Sequence, residues 1–345
     1  MPGIEIHNTC DCRVYDIRQQ GQGSIDLCGE INYGLSSKPP SLPSLLLWNE
    51  EGLRRFDKFA HTPSYYLHDK ELEILQRRSC EIAAVVPTGS ILVELGCGSL
   101  QKTGQLLRAL EKQGKSIRYY ALDVSLQGLT SSVGQLYKEL SNPSLVEIIG
   151  LWGTYDDCVS WISTPSGQDP VETSTITFLW MGNSISNMEK PSDASALLSK
   201  FKQASEAFSL RSQFLIAADA CEDADMVQDA YDCQTAALKA FILNGLSHVN
   251  DLMGDTVFHL EDWSCESEFD PEKSQLEVYY TPLRDVTVNG ADGETYHFSK
   301  GHRIRAICSG KWGRKLMFEV ASAAGLQMNH AWGDCAGLYC KFISL

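Results

Sequence analysis

Residues 90–99 read SILVELGCGS and residues 101–115 read QKTGQLLRALEKQGK. The first stretch is a short, nearly continuous apolar run that ends in Gly-x-Gly, and the second spaces its leucines as an amphipathic helix does. The pair reads as strand, glycine turn, helix. Two glycines at the end of a strand let a ligand approach the backbone, and ligands of open parallel sheets bind at the carboxyl ends of their strands. The turn around Glu94, Gly96, Gly98 and Ser99 is therefore the first candidate site.

The same alternation continues outward. RYYALDVS (118–125), SLVEIIGLWG (144–153), TITFLWMGNSIS (175–186) and SQFLIAADA (212–220) read as strands, with helices through LTSSVGQLYKEL (129–140) and YDDCVSWI (155–162). Apolar strands separated by helices build a parallel, doubly wound α/β sheet. The rhythm breaks between Cys221 and Ser309, where a long helix through AYDCQTAALKAFILNGLSHV (230–249) precedes β-like segments, LEVYYTPLRDVTV (276–288) and ETYHFSKGHRIRAI (294–307). That part reads as inserted. A helix at KLMFEVASAAG (315–325) and two strands, LQMNHAWG and AGLYCKFISL, follow it. On the other side, the first forty residues end in SSKPPSLPS and read as an arm; from Leu45 the pattern turns helical, with Asp69 as candidate cap of a helix of about fifteen residues.

A chain of 345 residues forms one large domain or two interleaved ones. Apolar residues make up 43%, and no run approaches the roughly 18 consecutive apolar residues of a membrane helix. With 44 acidic against 29 basic side chains and a formal charge of −15, a phosphate backbone is a disfavoured partner. The expected partner is a small molecule, with neither nucleic acid nor membrane. The amino terminus carries charges where a secretory signal is apolar, so a cytoplasmic location is expected; the expected state is a monomer. Twelve scattered cysteines form no Cys-x-x-Cys pair, which favours free thiols and no metal; Cys10 and Cys12 near His7 are poor support for one.

A lone Gly-x-Gly is weak, and the third glycine of a dinucleotide site is displaced to Gly104, so NAD is the lesser reading. Asp123 ends the next strand, about 25 residues on, where a carboxylate can accept both ribose hydroxyls of an adenosyl group. Glycine turn plus second-strand acid fits S-adenosylmethionine.

Several separated segments, VELGCGSLQKT, ALDVS, FLWMGNSISN, AADACEDADMVQDAYDCQTAALKAF and AICSGKW, resemble in order and spacing the histidine Nα-methyltransferases of ergothioneine biosynthesis and their fungal relatives acting on tryptophan and prenylated tryptophan. The resemblance runs from about Pro43 onward. It implies a Rossmann-like class I methyltransferase sheet with an inserted α+β substrate-binding domain. The expected division is an arm and helical part of the substrate domain over 1–70, the S-adenosylmethionine domain over 71–218, the insertion over 219–309, and a closing helix and strand pair over 310–345.

The resemblance also implies that Gly96, Gly98 and Lys102 surround the cofactor's methionyl end, that Asp123 holds its ribose, and that Gly153 and Thr154 lie beside the adenine. The plainer alternatives are a turn for Gly153 and a solvated helix face for Lys102. Asn187 and Tyr231 match positions that hold an α-carboxylate; otherwise Asn187 caps the next helix and Tyr231, read as opening the long inserted helix, packs. Tyr65 matches a substrate-contacting tyrosine, and these three make up the expected catalytic set. Trp48 stands where the histidine enzymes carry a tyrosine near the accepting amine, which leaves the number of methyl transfers open.

Ser309 keeps the family's hydroxyl, whereas Ile307 stands where the histidine enzymes have a glutamate that grips the imidazole. Val278 replaces a larger methionine. Loss of a charge-assisted partner is worth about 1.5–3 kcal/mol to a buried imidazole, while an indole gains from an apolar, roomier pocket. Ile307 and Val278 can equally be ordinary alternating strand residues. The favoured activity is α-N-methylation of free L-tryptophan to N,N-dimethyl-L-tryptophan, with S-adenosyl-L-homocysteine as by-product. Methylation of 4-dimethylallyltryptophan and then of histidine come next, and a non-catalytic amino-acid or cofactor-binding module is the reading from another class.

Overall fold

The computed structural model describes residues 4–9, 12–18, 26–140, 145–164, 175–290 and 293–344. Cys10 lies outside them, as do the side chains of His7 and Cys12. Two compact units are present: Met1–Gln22, Leu67–Ala220 and Trp312–Leu345 form the first, and Gly23–Tyr66 with Cys221–Lys311 the second.

Among the described residues the first unit carries one sheet of nine strands, in the order Ile4–Thr9, Cys12–Asp16, Val146–Trp152, Ile117–Asp123, Ile91–Leu95, Thr175–Trp180, Arg211–Asp219, Tyr339–Ser344 and Met328–Gly333. The strands from Cys12–Asp16 to Arg211–Asp219 are parallel to one another. Such strands are apolar along their whole length because helices cover both faces, as the unbroken burial of Ile91–Leu95 and Thr175–Trp180 illustrates. Their core runs through Val93, Leu95, Leu122, Phe178, Trp180, Phe214 and Phe342. Tyr339–Ser344 is antiparallel to both of its neighbours and closes the sheet. The connections reverse direction between Ile91–Leu95 and Thr175–Trp180, which places a topological switch point beside the glycine turn. This is the class I methyltransferase sheet.

The second unit holds a three-stranded antiparallel sheet, with Gln275–Pro282 between Ile304–Gly310 and Trp263–Asp270, and a small hairpin of Val286–Asn289 with Thr295–Phe298. Helix Glu50–Ala60 packs on helix Ala236–Met253: Asn244 Nδ2 donates to Asn49 Oδ1 at 2.8 Å, and Arg55 donates to the Ala240 carbonyl at 2.9 Å.

Several expectations need correction. The arm over the first forty residues is an antiparallel hairpin, Ile4–Thr9 with Cys12–Asp16, that extends the large sheet, followed by helix Leu27–Ser36 in the second unit. The expected 1–70 segment is thus divided between the units. Asp69 lies in the first turn of helix Tyr66–Val85 rather than capping it. Tyr231 does not open the long helix. It closes a short one, Ala224–Ala230, and the long helix starts at Ala236, because Asp232 Oδ1 accepts the Gln234 N–H and holds a turn between them. Strand Trp263–Asp270 was not among the expected elements; polar Ser267, on the inner face between Cys265 and Phe269, interrupts the apolar alternation.

Candidate active site

In the first unit the candidate cofactor residues collect at the carboxyl ends of adjacent parallel strands. Gly96 and Gly98 follow Leu95 with φ of +74° and +53°, the left-handed region that glycine enters without strain. A side chain on Gly98 would meet no atom within 4 Å, so the turn leaves open room over its backbone that a ligand can fill. The Gly98 N–H donates to Asp123 Oδ2 at 3.2 Å and the Ser125 N–H to Asp123 Oδ1 at 3.1 Å. Asp123 is almost fully buried, and that burial raises its pKa against the opposing backbone donors. A carboxylate so placed retains lone pairs for a diol.

One strand further, the Gly153 N–H donates to the Asp123 carbonyl at 3.1 Å. A Cβ on Gly153 would lie 2.8 Å from Ile17, which explains the glycine by crowding rather than by a free turn. Thr154 caps helix Tyr155–Ile162 in a reciprocal box: its hydroxyl accepts the Asp157 N–H at 3.2 Å, and Asp157 Oδ2 accepts the Thr154 N–H at 2.9 Å. The Thr154 hydroxyl also donates to that carboxylate.

Lys102 is not on a solvated face. Its Nζ donates to Glu71 Oε2, a fully buried carboxylate that also accepts from Lys341 Nζ at 2.7 Å and from the Gly182 N–H at 3.2 Å. Burial alone would push the Glu71 pKa up; the two lysines overcome it and hold the group at about 2. Beside this network, burial pushes Glu94 up to about 7 even though Tyr119 and Thr103 donate to it. Neither Glu71 nor Lys341 carried a local sequence signal, since their partners are remote in the chain. Asn187 ends the 3-10 turn Ser184–Asn187 after strand Thr175–Trp180, half-buried; the next helix, Pro191–Glu206, takes Lys190 at its cap position without a side-chain bond, so Asn187 does not cap it.

The second unit brings together the remaining candidates. Trp48 packs edge-on to Phe56 at 5.1 Å and against Phe241 at 5.2 Å; Tyr65 lies 4.5 Å from Phe59 and 5.5 Å from Tyr231, centroid to centroid. This is a continuous aromatic wall. Phe56, Phe59 and Phe241 were not singled out by sequence, although Phe56 and Phe59 share a helix face at i, i+3 spacing. The Tyr231 hydroxyl is 3.2 Å from Ser309 Oγ, and buried Lys311, unassigned from sequence, reaches both.

Ile307 pairs directly with Val278 across the antiparallel ladder, and Ser309 pairs with Leu276 two residues on, so Ile307, Val278 and Ser309 occupy one sheet face. A bulge makes this so. Arg305 pairs with Tyr279, and the pairing shifts by one residue before Ile307, leaving Ala306 extra. On the opposite face Arg305 meets Glu277 at 3.5 Å, and Arg303 pairs with Glu266 and Glu268.

The match to a family model described as histidine-specific methyltransferase, SAM-dependent, spans residues 27–344. The chain is 62% identical to the N-methyltransferase benX of Aspergillus terreus over 98% of this chain and 93% of that protein. It is 34% identical to ergothioneine biosynthesis protein 1 of Neurospora crassa over 96% of this chain and 36% of that longer protein. It is 33% identical to the 4-dimethylallyltryptophan N-methyltransferase easF of Epichloe festucae var. lolii, over 87% of this chain and 89% of that one.

Proposed function

Because the chain belongs to the histidine-specific, S-adenosylmethionine-dependent methyltransferase family and is an N-methyltransferase, we propose that its acceptor is the α-amino group of free L-tryptophan and its product N,N-dimethyl-L-tryptophan. The observation that carries this reading is the pairing of Ile307 with Val278 on the face that bears Ser309. An imidazole there would meet two apolar side chains and no carboxylate on that face, whereas an indole gains from their area and leaves one N–H for a hydroxyl.

S-adenosylmethionine would supply a methyl group bonded to a sulfonium sulfur, with the thioether of S-adenosylhomocysteine as the group that leaves in line when an amine lone pair takes the methyl carbon. Asp123 accepts its ribose hydroxyls, and the Gly96–Gly98 turn gives it access to the backbone. Trp48 and Tyr65 belong to the wall against which the indole lies. The Tyr231 hydroxyl donates to the substrate carboxylate, and no covalent nucleophile is required. The family description and the relative named for 4-dimethylallyltryptophan support two further acceptors, histidine and the prenylated amino acid.

Incubation with S-adenosylmethionine and an equimolar mixture of tryptophan, histidine and 4-dimethylallyltryptophan separates the three by product mass. Dimethylated tryptophan is the expected major product. A product from either competitor alone overturns the tryptophan assignment. Tryptamine, which lacks the carboxylate, is expected to go unmethylated; turnover comparable to tryptophan would remove Tyr231 from carboxylate binding.

A further inference from the structure

The hairpin of Ile4–Thr9 and Cys12–Asp16 precedes residue 27, where the family match begins, yet it belongs to the unit that holds the cofactor residues. Its second strand runs parallel to Val146–Trp152 with Asp16 opposite Trp152, and the Ile17 N–H extends that ladder to the Trp152 carbonyl at 3.1 Å. Buried Ile17 occupies the space that a Cβ on Gly153 would need. Arg18 carries the contact further. Its Nε donates to Asp16 Oδ1 at 2.9 Å and its Nη2 to Asp16 Oδ2 at 2.8 Å, a two-point bond that fixes the plane of the guanidinium. The guanidinium carbon lies over the Trp152 ring, 3.1 Å from its centroid. The Trp152 indole N–H donates in turn to the Val124 carbonyl at 2.9 Å, one residue after Asp123. A line of contacts thus runs from Asp16 through Arg18 and Trp152 to the backbone beside Asp123, while Ile17 backs Gly153 on the next strand. One short segment braces both strand ends assigned to the adenosyl group.

We propose that Arg18 is a positioning residue for the nucleoside end of S-adenosylmethionine: it holds the Trp152 indole on the Val124 carbonyl and so fixes the strand ends on which Asp123 and Gly153 stand. The inference rests on the reading of Asp123, Gly153 and Thr154 as the adenosyl site and adds to it a segment that lies before the family match.

The test measures S-adenosylhomocysteine binding by calorimetry in the full chain as wild type, Arg18→Ala, Arg18→Lys, Trp152→Leu and the double variant of Arg18→Ala with Trp152→Leu. Arg18→Ala is expected to weaken binding about three- to tenfold. Binding of 5′-methylthioadenosine, which has the nucleoside without the amino-acid end, falls by the same factor. Arg18→Lys, which keeps a charge for Asp16 but not the flat group over the ring, recovers part of the loss. In the Trp152→Leu background Arg18→Ala adds nothing, because the arginine acts through the indole. Unchanged affinity in a folded variant, a loss that spares 5′-methylthioadenosine, or a full further loss in the double variant overturns the proposal. If Arg18→Ala does not fold, the same comparisons are read in Arg18→Gln. Asp123→Asn separates premise from inference. Unchanged affinity in that variant removes the adenosyl group from these strand ends, whereas weakening by Asp123→Asn without weakening by Arg18→Ala sinks the role of Arg18 alone.

Discussion

Asp123 accepts backbone N–H groups from Gly98 and Ser125 and still has lone pairs for a diol, so its removal touches both the turn and the ligand. Asp123→Asn keeps an acceptor for one of the two backbone N–H groups, turns an amide NH2 toward the other and discharges the group. It is expected to weaken S-adenosylmethionine binding about tenfold or more by calorimetry and to cost about 1–3 kcal/mol of stability while still folding; unchanged affinity would take Asp123 out of the cofactor site. At the other candidate position, Ile307→Glu places a carboxylate that can pair with an imidazole but must be desolvated against an indole. The ratio of kcat/KM for tryptophan over histidine should fall, and an unaltered ratio in a folded variant would show that Ile307 does not face substrate. Asp123 was legible because it ends an apolar strand one crossover after the glycine turn. Lys311 stands in AICSGKW, yet nothing local in that stretch indicates that its ammonium returns to Ser309, two residues back, and to Tyr231, eighty residues earlier.

Strand ends and caps carry the next set of consequences. Glu94 stands one residue before the end of strand Ile91–Leu95, with its carboxyl pushed up by burial to about 7 against an ordinary value of 4.5. The folded state thus binds more protons than the unfolded chain between those limits, and stability falls as pH rises through them. Glu94→Gln, whose amide oxygen accepts from one of the Thr103 and Tyr119 hydroxyls while its NH2 donates to the other, is expected to exceed wild type by about 3 kcal/mol above pH 7 and to lose that advantage below pH 4.5, by denaturant unfolding. Thr154→Ala removes the cap of helix Tyr155–Ile162 and should cost about 1 kcal/mol, which Thr154→Ser restores. The parallel strands were readable because burial on both faces makes them continuous apolar runs. The bulge at Ala306 was not: plain alternation in RIRAICSG puts Ile307 and Ser309 on the face of Arg305, and only the shifted ladder turns them to the face of Val278.

At the scale of the whole molecule, neither unit is continuous in sequence. The first is assembled from three segments and the second from two, which composition could not reveal beyond the break in strand rhythm after Cys221. Within the first unit Glu71 ties helix Tyr66–Val85 to Lys102 in the helix after the glycine turn, to the Gly182 N–H and to Lys341 in strand Tyr339–Ser344. Glu71→Gln leaves two lysines around a neutral amide and is expected to destabilise the protein by about 3–5 kcal/mol. Its folded pKa is depressed from 4.5 to about 2, so the wild-type contribution is complete above pH 4.5 and vanishes as pH falls toward 2. The difference between wild type and variant should therefore close in acid; a gap that persists at pH 2 would refute the ionised network.

That network also sets a schedule for biosynthesis. Glu71 leaves the ribosome 270 residues before Lys341, a delay of about 15–50 s at ordinary elongation rates of 5–20 residues per second. Through that interval the nascent chain holds a carboxylate destined for the interior without its second cation, and in the later part of it strand Arg211–Asp219 without its antiparallel neighbour. The cofactor unit is consequently completed only after translation of strand Tyr339–Ser344, and until then its growing sheet keeps an unpaired edge at Arg211–Asp219.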